Sequence, residues 1–389
     1  MNMISSILCL LLAASEVPGA NAGSVEWEDH TKLSLNKLPP RAWFGSFPSV
    51  EAARAIRPEK SPRYLSLDSE TEWRFKWTRK PADRPKDFFR PDFDDSKWDV
   101  VKVPCSWQAM GIRKSGERFG VPLYVNVPFV FGPGIEYNVG ANCWPKVTGI
   151  QPPEWTFHGD DNPVGSYRRT FDLPADWAGD RIVLQFDGVE PFFYLWVNGQ
   201  YVGFSKDSRS PAAFDVTKLL KPGRNTVALE VYRFADSLYL EDQDMWTISG
   251  IIRPVALWRF PQAHLRDVAI TTHPVAKGAY AGDWRVDVRT ELVGGTADRK
   301  LTAHVFDGAK EIVTQTFAGK ATSFVVKAPR LWSAERPNLY TLVLSHDGEA
   351  CGFQLGFREV EIRDAKNQND RTFLLNGQPI KMRGANRHE

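Results

Sequence analysis

The sequence is poor in cysteine and has no excess of charge of either sign. Its 389 residues include 4 Cys, without a Cys-x-x-Cys pair or a His/Cys cluster, which argues against a disulfide framework and structural zinc. Lys and Arg total 49 while Asp and Glu total 47, so neither a nucleic-acid partner nor a charged interaction tail is indicated. The 7 histidines are spread singly, and no nucleophile–base pair suggests serine or cysteine chemistry.

Long apolar runs are missing after residue 22, so no membrane span is expected. The N-terminal exception is short: residues 4–14 read ISSILCLLLAA, and ANA at 20–22 is a small-x-small cleavage pattern. We therefore predict a signal peptide over 1–22, a mature chain that starts at Gly23, and export to the periplasm or the cell exterior. No Lys or Arg precedes the apolar run, and the alternative is a buried N-terminal helix.

Removal of a signal peptide would also remove Cys9. The three other thiols belong to Cys105, Cys143 and Cys351. One pair of them could close a disulfide, and the sequence does not select the pair.

Helical periodicity is scarce, and short apolar runs bounded by Gly, Pro, Asn and Asp dominate the chain. Asn198-Gly199, between two such runs, is the strongest hairpin signal. Many short strands with turns between them predict an antiparallel sandwich or jelly roll over 73–261, after a Pro-rich N-terminal segment at 23–72. The predicted strands lie at 73–77, 165–171, 181–186, 192–197, 201–204, 225–232 and 254–258.

Alternation becomes cleaner after residue 261, and the strand count over 262–360 fits an immunoglobulin-like sandwich. The predicted strands there lie at 268–272, 284–289, 301–306, 323–326 and 340–344. From residue 361 the pattern of apolar and polar residues changes again. A hairpin around Asn376-Gly377 and an extended stretch at 381–384 predict the opening of a further domain.

Three motifs in this order and spacing resemble the β-galactosidases of glycoside hydrolase family 2. Another stretch, NPVGSYR at 162–168, resembles the start of the family's sugar-binding domain. The motifs are SKDSRSP at 205–211 leading to FDV at 214–216, YLEDQDMW at 239–246 leading to SGIIR at 249–253, and LNGQP at 375–379 with RGANRHE at 383–389.

The resemblance implies an all-β front end that leads into a catalytic (β/α)₈ barrel. Its parts would be a jelly-roll sugar-binding domain at 73–261, an immunoglobulin-like sandwich at 262–360, and the first barrel strand within 361–389. Family members retain anomeric configuration with two glutamates, one acting as acid/base and one as nucleophile. In the family both glutamates lie downstream of the RGANRHE motif. We therefore expect no catalytic residue in this chain and no activity from it alone.

Three residues match family positions that contact the sugar. Asp207 matches an aspartate that binds a sodium ion and contacts galactose, a role suited to an oxygen ligand. Asn126 matches a loop asparagine whose amide bonds sugar hydroxyls, and His388 matches a histidine at the end of the first barrel strand. The family's magnesium ligands have no match here, so of the expected sodium and magnesium sites only one sodium ligand is present.

Other conspicuous side chains favour structural roles. The carboxylates of Glu241, Asp242 and Asp244 look like a metal cluster, but no His completes one, and salt links or turn bonds are the better interpretation. Within a long Pro- and Gly-rich stretch at 121–163, an outer sugar subsite is the alternative to a purely structural role. The candidates are Trp144, Trp155 and His158.

The resemblance implies hydrolysis of terminal non-reducing β-D-galactose residues, with a β-galactoside or galactose-containing glycan as the partner molecule. A homo-oligomer, or a second chain that carries the barrel, remains open. The alternatives are a non-catalytic carbohydrate-binding or scaffold module and a sibling activity, β-glucuronidase or β-mannosidase.

Overall fold

The computed structural model describes residues 25–115, 118–120, 122–124, 162–241, 245–294, 299–363 and 372–386. The short helix α1 (Val50–Ala53) packs on the second sandwich, whereas the first sandwich contains the short helices α2 (Trp107–Ser115) and α3 (Leu238–Glu241). In chain order its strands are β1 (Ser34–Leu35), β2 (Tyr64–Ser66), β3 (Ser69–Thr78), β4 (Asp99–Val103), β5 (Leu123–Tyr124), β6 (Val164–Leu173), β7 (Arg181–Phe186), β8 (Val189–Glu190), β9 (Phe192–Val197), β10 (Gln200–Lys206), β11 (Ala212–Asp215), β12 (Gly223–Tyr232), β13 (Trp246–Thr247), β14 (Gly250–Ile251) and β15 (Val255–Phe260).

Two antiparallel sheets make this first sandwich. One has the strand order β1-β10-β9-β12-β6-β3-β4 and the other the order β11-β7-β15-β2. Large aromatic side chains fill the space between them, among them the fully buried Trp73, Trp107, Tyr167 and Phe186. The predicted antiparallel all-β class is confirmed, because alternating apolar positions of both sheets meet in one core.

The Asn198-Gly199 turn joins β9 to β10 as predicted. Both residues have left-handed backbone, with φ of 50° and 83°. Two consecutive positive φ values fit the two-residue hairpin turn that matches strand twist, and Asn followed by Gly is the pair that adopts it most readily.

The second sandwich packs two antiparallel sheets of orders β16-β17-β20 and β19-β18-β21-β22. Strict alternation is clearest in β17, where Trp284, Val286 and Val288 are buried. The sequence analysis missed β19, whose side chains are mostly exposed, and β22, which a glycine interrupts. The strands are β16 (His264–Pro274), β17 (Trp284–Val293), β18 (Lys300–Asp307), β19 (Lys310–Ala318), β20 (Ala321–Val326), β21 (Tyr340–His346) and β22 (Glu349–Leu355).

A small three-stranded sheet follows, made of β23 (Val360–Arg363), β24 (Thr372–Leu375) and β25 (Gln378–Pro379). It rests on the second sandwich through Asn376, whose Nδ2 donates to the Trp332 carbonyl at 3.1 Å. Residues 380–386, where the first barrel strand is expected, follow outside any strand of the described structure.

The Pro-rich N-terminal segment is an ordered strap, defined here as residues 25–66, that lies on both sandwiches. On the first sandwich, Trp27 stacks on Tyr232 with ring centroids 4.1 Å apart, and β1 and β2 extend the two sheets. On the second, Phe44 enters the core and Phe47 packs beside Val343. One segment therefore fastens the two sandwiches to each other.

None of the helices within the described ranges has the length and apolar character required to cross a membrane.

Candidate functional site

Asp207 lies directly after β10, in a turn with unusual backbone geometry. Its φ is +85°, a left-handed value that residues with a Cβ adopt only at a cost of about 1–3 kcal/mol. The side chain is exposed, and its Oδ1 accepts a hydrogen bond from the Ser210 amide at 3.2 Å. Within the described residues Oδ2 has no hydrogen-bond partner, so one carboxylate oxygen is presented outward from a strained turn.

Residues on both sides of Asp207 are anchored by buried polar groups. The Lys206 ammonium donates to the Asp29 carbonyl at 2.8 Å and lies 2.7 Å from Asp236 Oδ1. Ser208 donates both its amide, at 3.2 Å, and its hydroxyl to the Glu241 carboxylate. Glu241 thus has the structural role predicted for it, while Asp242 and Asp244 lie outside the described residues.

The far side of the turn is held by a carboxylate that is buried, that of Glu190. Glu190, only 1% exposed, lies 3.2 Å from Arg209 Nη2 and accepts the Ile248 amide. The Arg253 guanidinium donates to the Arg209 carbonyl at 2.6 Å. Because its neighbours are fixed by these bonds, the turn holds the Asp207 carboxylate in place before any ligand arrives.

Two cavities lie on either side of strap residues 37–40, and Asp207 lines both. The larger, about 570 Å³, is also lined by Asp236, Ser237 and Glu241. Beside it Leu240 is 85% exposed. The smaller, about 280 Å³, lies between the strap and the four-stranded sheet of the first sandwich. Carboxylate oxygens next to apolar surface suit a sugar, which has polar edges and apolar faces.

The described residues do not complete a cation site. No group of three or more His, Cys, Asp or Glu side chains in that part of the chain is arranged to hold a metal ion. A hard cation such as sodium or magnesium needs several oxygens gathered together, and Asp207 supplies one exposed carboxylate.

The other two predicted sugar contacts, Asn126 and His388, lie outside the described residues. The same is true of the outer-subsite candidates Trp144, Trp155 and His158, of Cys143 and of the predicted signal peptide. Cys351 is a buried thiol in the second sandwich core. The sequence analysis missed Arg41 and Trp43 of the strap, although an arginine and two aromatics within a Pro-rich segment are a signal for a packed contact.

Two family models match the chain. The sugar binding domain of the glycosyl hydrolases family 2 matches residues 66–261, and a second model, glycosyl hydrolases family 2, matches residues 263–358.

Curated relatives cover nearly the whole chain. It is 34% identical over 388 residues to a beta-galactosidase of Priestia megaterium and 35% identical over 389 residues to a beta-galactosidase of Aeromonas hydrophila subsp. hydrophila. Each match covers 94% of this chain and 34% of the relative. The chain therefore spans about a third of the length of these relatives.

Solved structures share the fold at low sequence identity. A beta-glucuronidase of an uncultured Clostridium sp. matches with a TM-score of 0.59 and 19% identity over 82% of this chain and 48% of that one. A beta-glycosidase from Bacteroides vulgatus matches with a TM-score of 0.56 and 21% identity, over 82% and 36% of the two chains.

Proposed function

The chain belongs to glycoside hydrolase family 2, and from this premise we propose that it is the front part of a β-galactosidase acting on terminal non-reducing β-D-galactose residues. The observation that carries the proposal is the exposed Asp207 carboxylate in its strained, anchored turn. Relatives named beta-galactosidase, 34% and 35% identical across the chain, support galactose as the sugar.

In this proposal the chain binds the sugar, and the barrel region performs the chemistry. The Asp207 carboxylate accepts hydrogen bonds from galactose hydroxyls and gives one oxygen to a sodium ion that other groups complete. Two further carboxylates, about 5–5.5 Å apart, are needed for a retaining reaction, and we assign both to the barrel. The chain by itself should not hydrolyse a chromogenic β-galactoside above buffer background. We also propose that residues 1–22 direct its export.

The test is a fusion that joins the barrel of a close relative after Glu389. The fusion should hydrolyse the β-galactoside, and Asp207→Asn should lower turnover at least about tenfold and weaken its dependence on sodium. The matched control is Asp347→Asn. Asp347 is also an aspartate with positive φ, 32°, but it belongs to a hairpin of the second sandwich. Its replacement should leave turnover and the sodium response unchanged.

Four outcomes would count against the proposal. Turnover by the unfused chain that a substitution within it abolishes would mean that the catalytic groups were misassigned. Unchanged turnover and sodium response in the Asp207→Asn fusion would make Asp207 a turn residue only. A fusion that prefers a β-glucuronide would favour the sibling activity suggested by the name of the Clostridium neighbour. Glycan binding without turnover would favour a binding module.

A further inference from the structure

The smaller cavity beside Asp207, called here the basic cavity, is built by three parts of the chain. Its roof is strap segment 37–43, held in place where the Leu38 amide donates to the Ala213 carbonyl at 2.8 Å. Its floor includes Val183 and Gln185 of β7. The start of the second sandwich, His264–Arg266, closes one side. The strap thus leaves open space where it crosses from one sandwich to the other.

Positive charge dominates the lining of the basic cavity. Lys37, Arg41, Arg181 and Arg266 all line it, whereas Asp207 is the one carboxylate among the described lining residues. Arg181 is paired with Asp215 at 2.9 Å, and Arg266 with Glu291 at 2.7 Å. Lys37 and Arg41 have no carboxylate within ion-pair distance among the residues that the structure describes. Two cations at the same cavity therefore lack an ion-pair partner among the described residues.

Arg41 is held in position without being neutralised. Its guanidinium carbon lies 4.7 Å from the centre of the Phe44 ring and 5.4 Å from that of Phe260. Burial is the largest influence on its pKa and lowers it from the ordinary value. A desolvated, fixed cation of this kind gains from an anion brought to it.

The carboxylates nearest to Arg41 are already engaged elsewhere. The Glu349 carboxylate accepts from Ser46 Oγ at 2.7 Å and from the Leu265 amide at 2.8 Å, and its Oε2 lies 2.9 Å from His346 Nε2. Asp267 Oδ1 accepts from the Ala42 amide at 2.9 Å. Neither of them lines the cavity, so an anion that forms an ion pair with Arg41 there must come from outside the described residues.

The size and the remaining lining fit one sugar unit. The cavity's volume, about 280 Å³, lies just below the range of ~300–1,000 Å³ typical of small-molecule sites. Trp43, which is 57% exposed, lines it and offers an aromatic face for a sugar ring. Apolar side chains such as Leu38 and Phe260 also contribute to the wall.

We propose that the basic cavity is a subsite for an anionic sugar unit, bearing a carboxylate or a sulfate, next to the galactose contacted by Asp207. Lys37 and Arg41 bind the acidic group, Trp43 stacks on the ring, and the apolar wall excludes water. The natural substrate would then be an acidic galactose-containing glycan. This assignment of substrate class rests on the proposed β-galactosidase function, but anion binding by the cavity does not require the barrel.

The test is a titration of the chain alone with sugars of matched size. Binding is measured by NMR or by calorimetry. The probes are galacturonic acid, galactose 6-sulfate and neutral galactose. The acidic probes should bind at least about tenfold more tightly than galactose, and added salt should weaken them. Lys37→Met should reduce this affinity by about tenfold, and Arg41→Met should remove it. Lys327→Met, at an exposed lysine of the second sandwich, is the control and should change nothing.

The binding measurements on the chain alone and the turnover measurements on the fusion can fail independently of each other. If Arg41→Met fails to fold, the affinity of Lys37→Met for the acidic probes still tests the subsite, because Lys37 lies at the rim of the cavity. Acidic binding that both substitutions leave intact, or equal binding of acidic and neutral sugars, would overturn the subsite. Tighter binding of galactose 6-sulfate than of galacturonic acid would assign sulfate, and the reverse would assign a carboxylate. An active fusion whose chain binds no acidic probe would retain the galactosidase proposal and reject the subsite.

Discussion

Asp207 of the first sandwich and Asp347 of the second both have left-handed backbone, and local geometry explains only that of Asp347. Asp347, φ 32°, precedes Gly348, φ 77°, at the tip of the β21–β22 hairpin, where such angles are needed for the turn. Asp207, φ 85°, is followed by Ser208, and Glu190 and Glu241 bind the residues around it. Similar backbone strain closes a hairpin in one sandwich and displays a carboxylate in the other.

The strap contacts both sandwiches and so limits how far one sandwich can be destabilised without affecting the other. Phe44→Ala removes an aromatic side chain from the second core and should lower its free energy of unfolding by about 3–5 kcal/mol. Trp43→Ala, at the exposed neighbour, should cost less than about 1 kcal/mol. Denaturant unfolding, monitored by amide exchange in both sandwiches, checks this. An equal loss in the first sandwich would mean that the two unfold as one unit.

The anchoring of the Asp207 turn gives the next largest effect. Glu190→Ala removes the buried carboxylate that pairs with Arg209 and accepts from the Ile248 amide, and it should destabilise the first sandwich by about 1–3 kcal/mol. Asp347→Ala, at the exposed hairpin of the second sandwich, should stay within about 0.5 kcal/mol of the unmodified chain. Midpoints of denaturant unfolding report both values. Equal shifts would mean that the Asp207 turn is no more constrained than an ordinary hairpin.

A smaller effect on stability should appear when the pH is lowered, through His264 at the junction of the two sandwiches. Burial lowers the pKa of His264 below its ordinary value of 6.5. The unfolded chain therefore binds the proton first, so the contribution of neutral His264 is complete above pH 6.5 and declines as the pH falls from 6.5 towards the folded pKa. Thermal melts should show His264→Gln reducing the stability lost between about pH 7 and pH 5. His273→Gln, at an exposed position, should leave that loss unchanged.

The smallest change in stability is expected for Asp207→Gly, which distinguishes a role of Asp207 in sugar binding from a role in the turn. Asp207→Gly relieves the positive φ but removes the bond to Ser210, so the free energy of unfolding should change by no more than about 1 kcal/mol. Turnover of the barrel fusion should nevertheless fall. Asp347→Gly should be neutral in both measurements. Retained turnover in Asp207→Gly would show that the Asp207 carboxylate is not required.

The strands of both sandwiches could be predicted because their signals are local. Alternation in β17 and the Asn198-Gly199 turn each depend on adjacent residues, and both are confirmed. The place where the strap packs could not be predicted, because Phe44 contacts strands more than two hundred residues later and has no periodic pattern around it. Asp207 was found by resemblance, but its anchoring depends on Glu190 and Arg253, which only the folded chain brings to the turn.

The strap also sets an order of events during synthesis. Residues 25–66 leave the ribosome before the remainder of both sandwiches, yet the pocket for Phe44 is complete only after β22, which contains Cys351, has been made. The first sandwich can assemble on emergence, whereas this half of the strap must remain exposed while roughly three hundred further residues are translated, about 15–60 s at ~5–20 residues per second. Throughout that interval Phe44 and Phe47 lack their partners in the second sandwich, so this half of the strap docks only once that sandwich has formed.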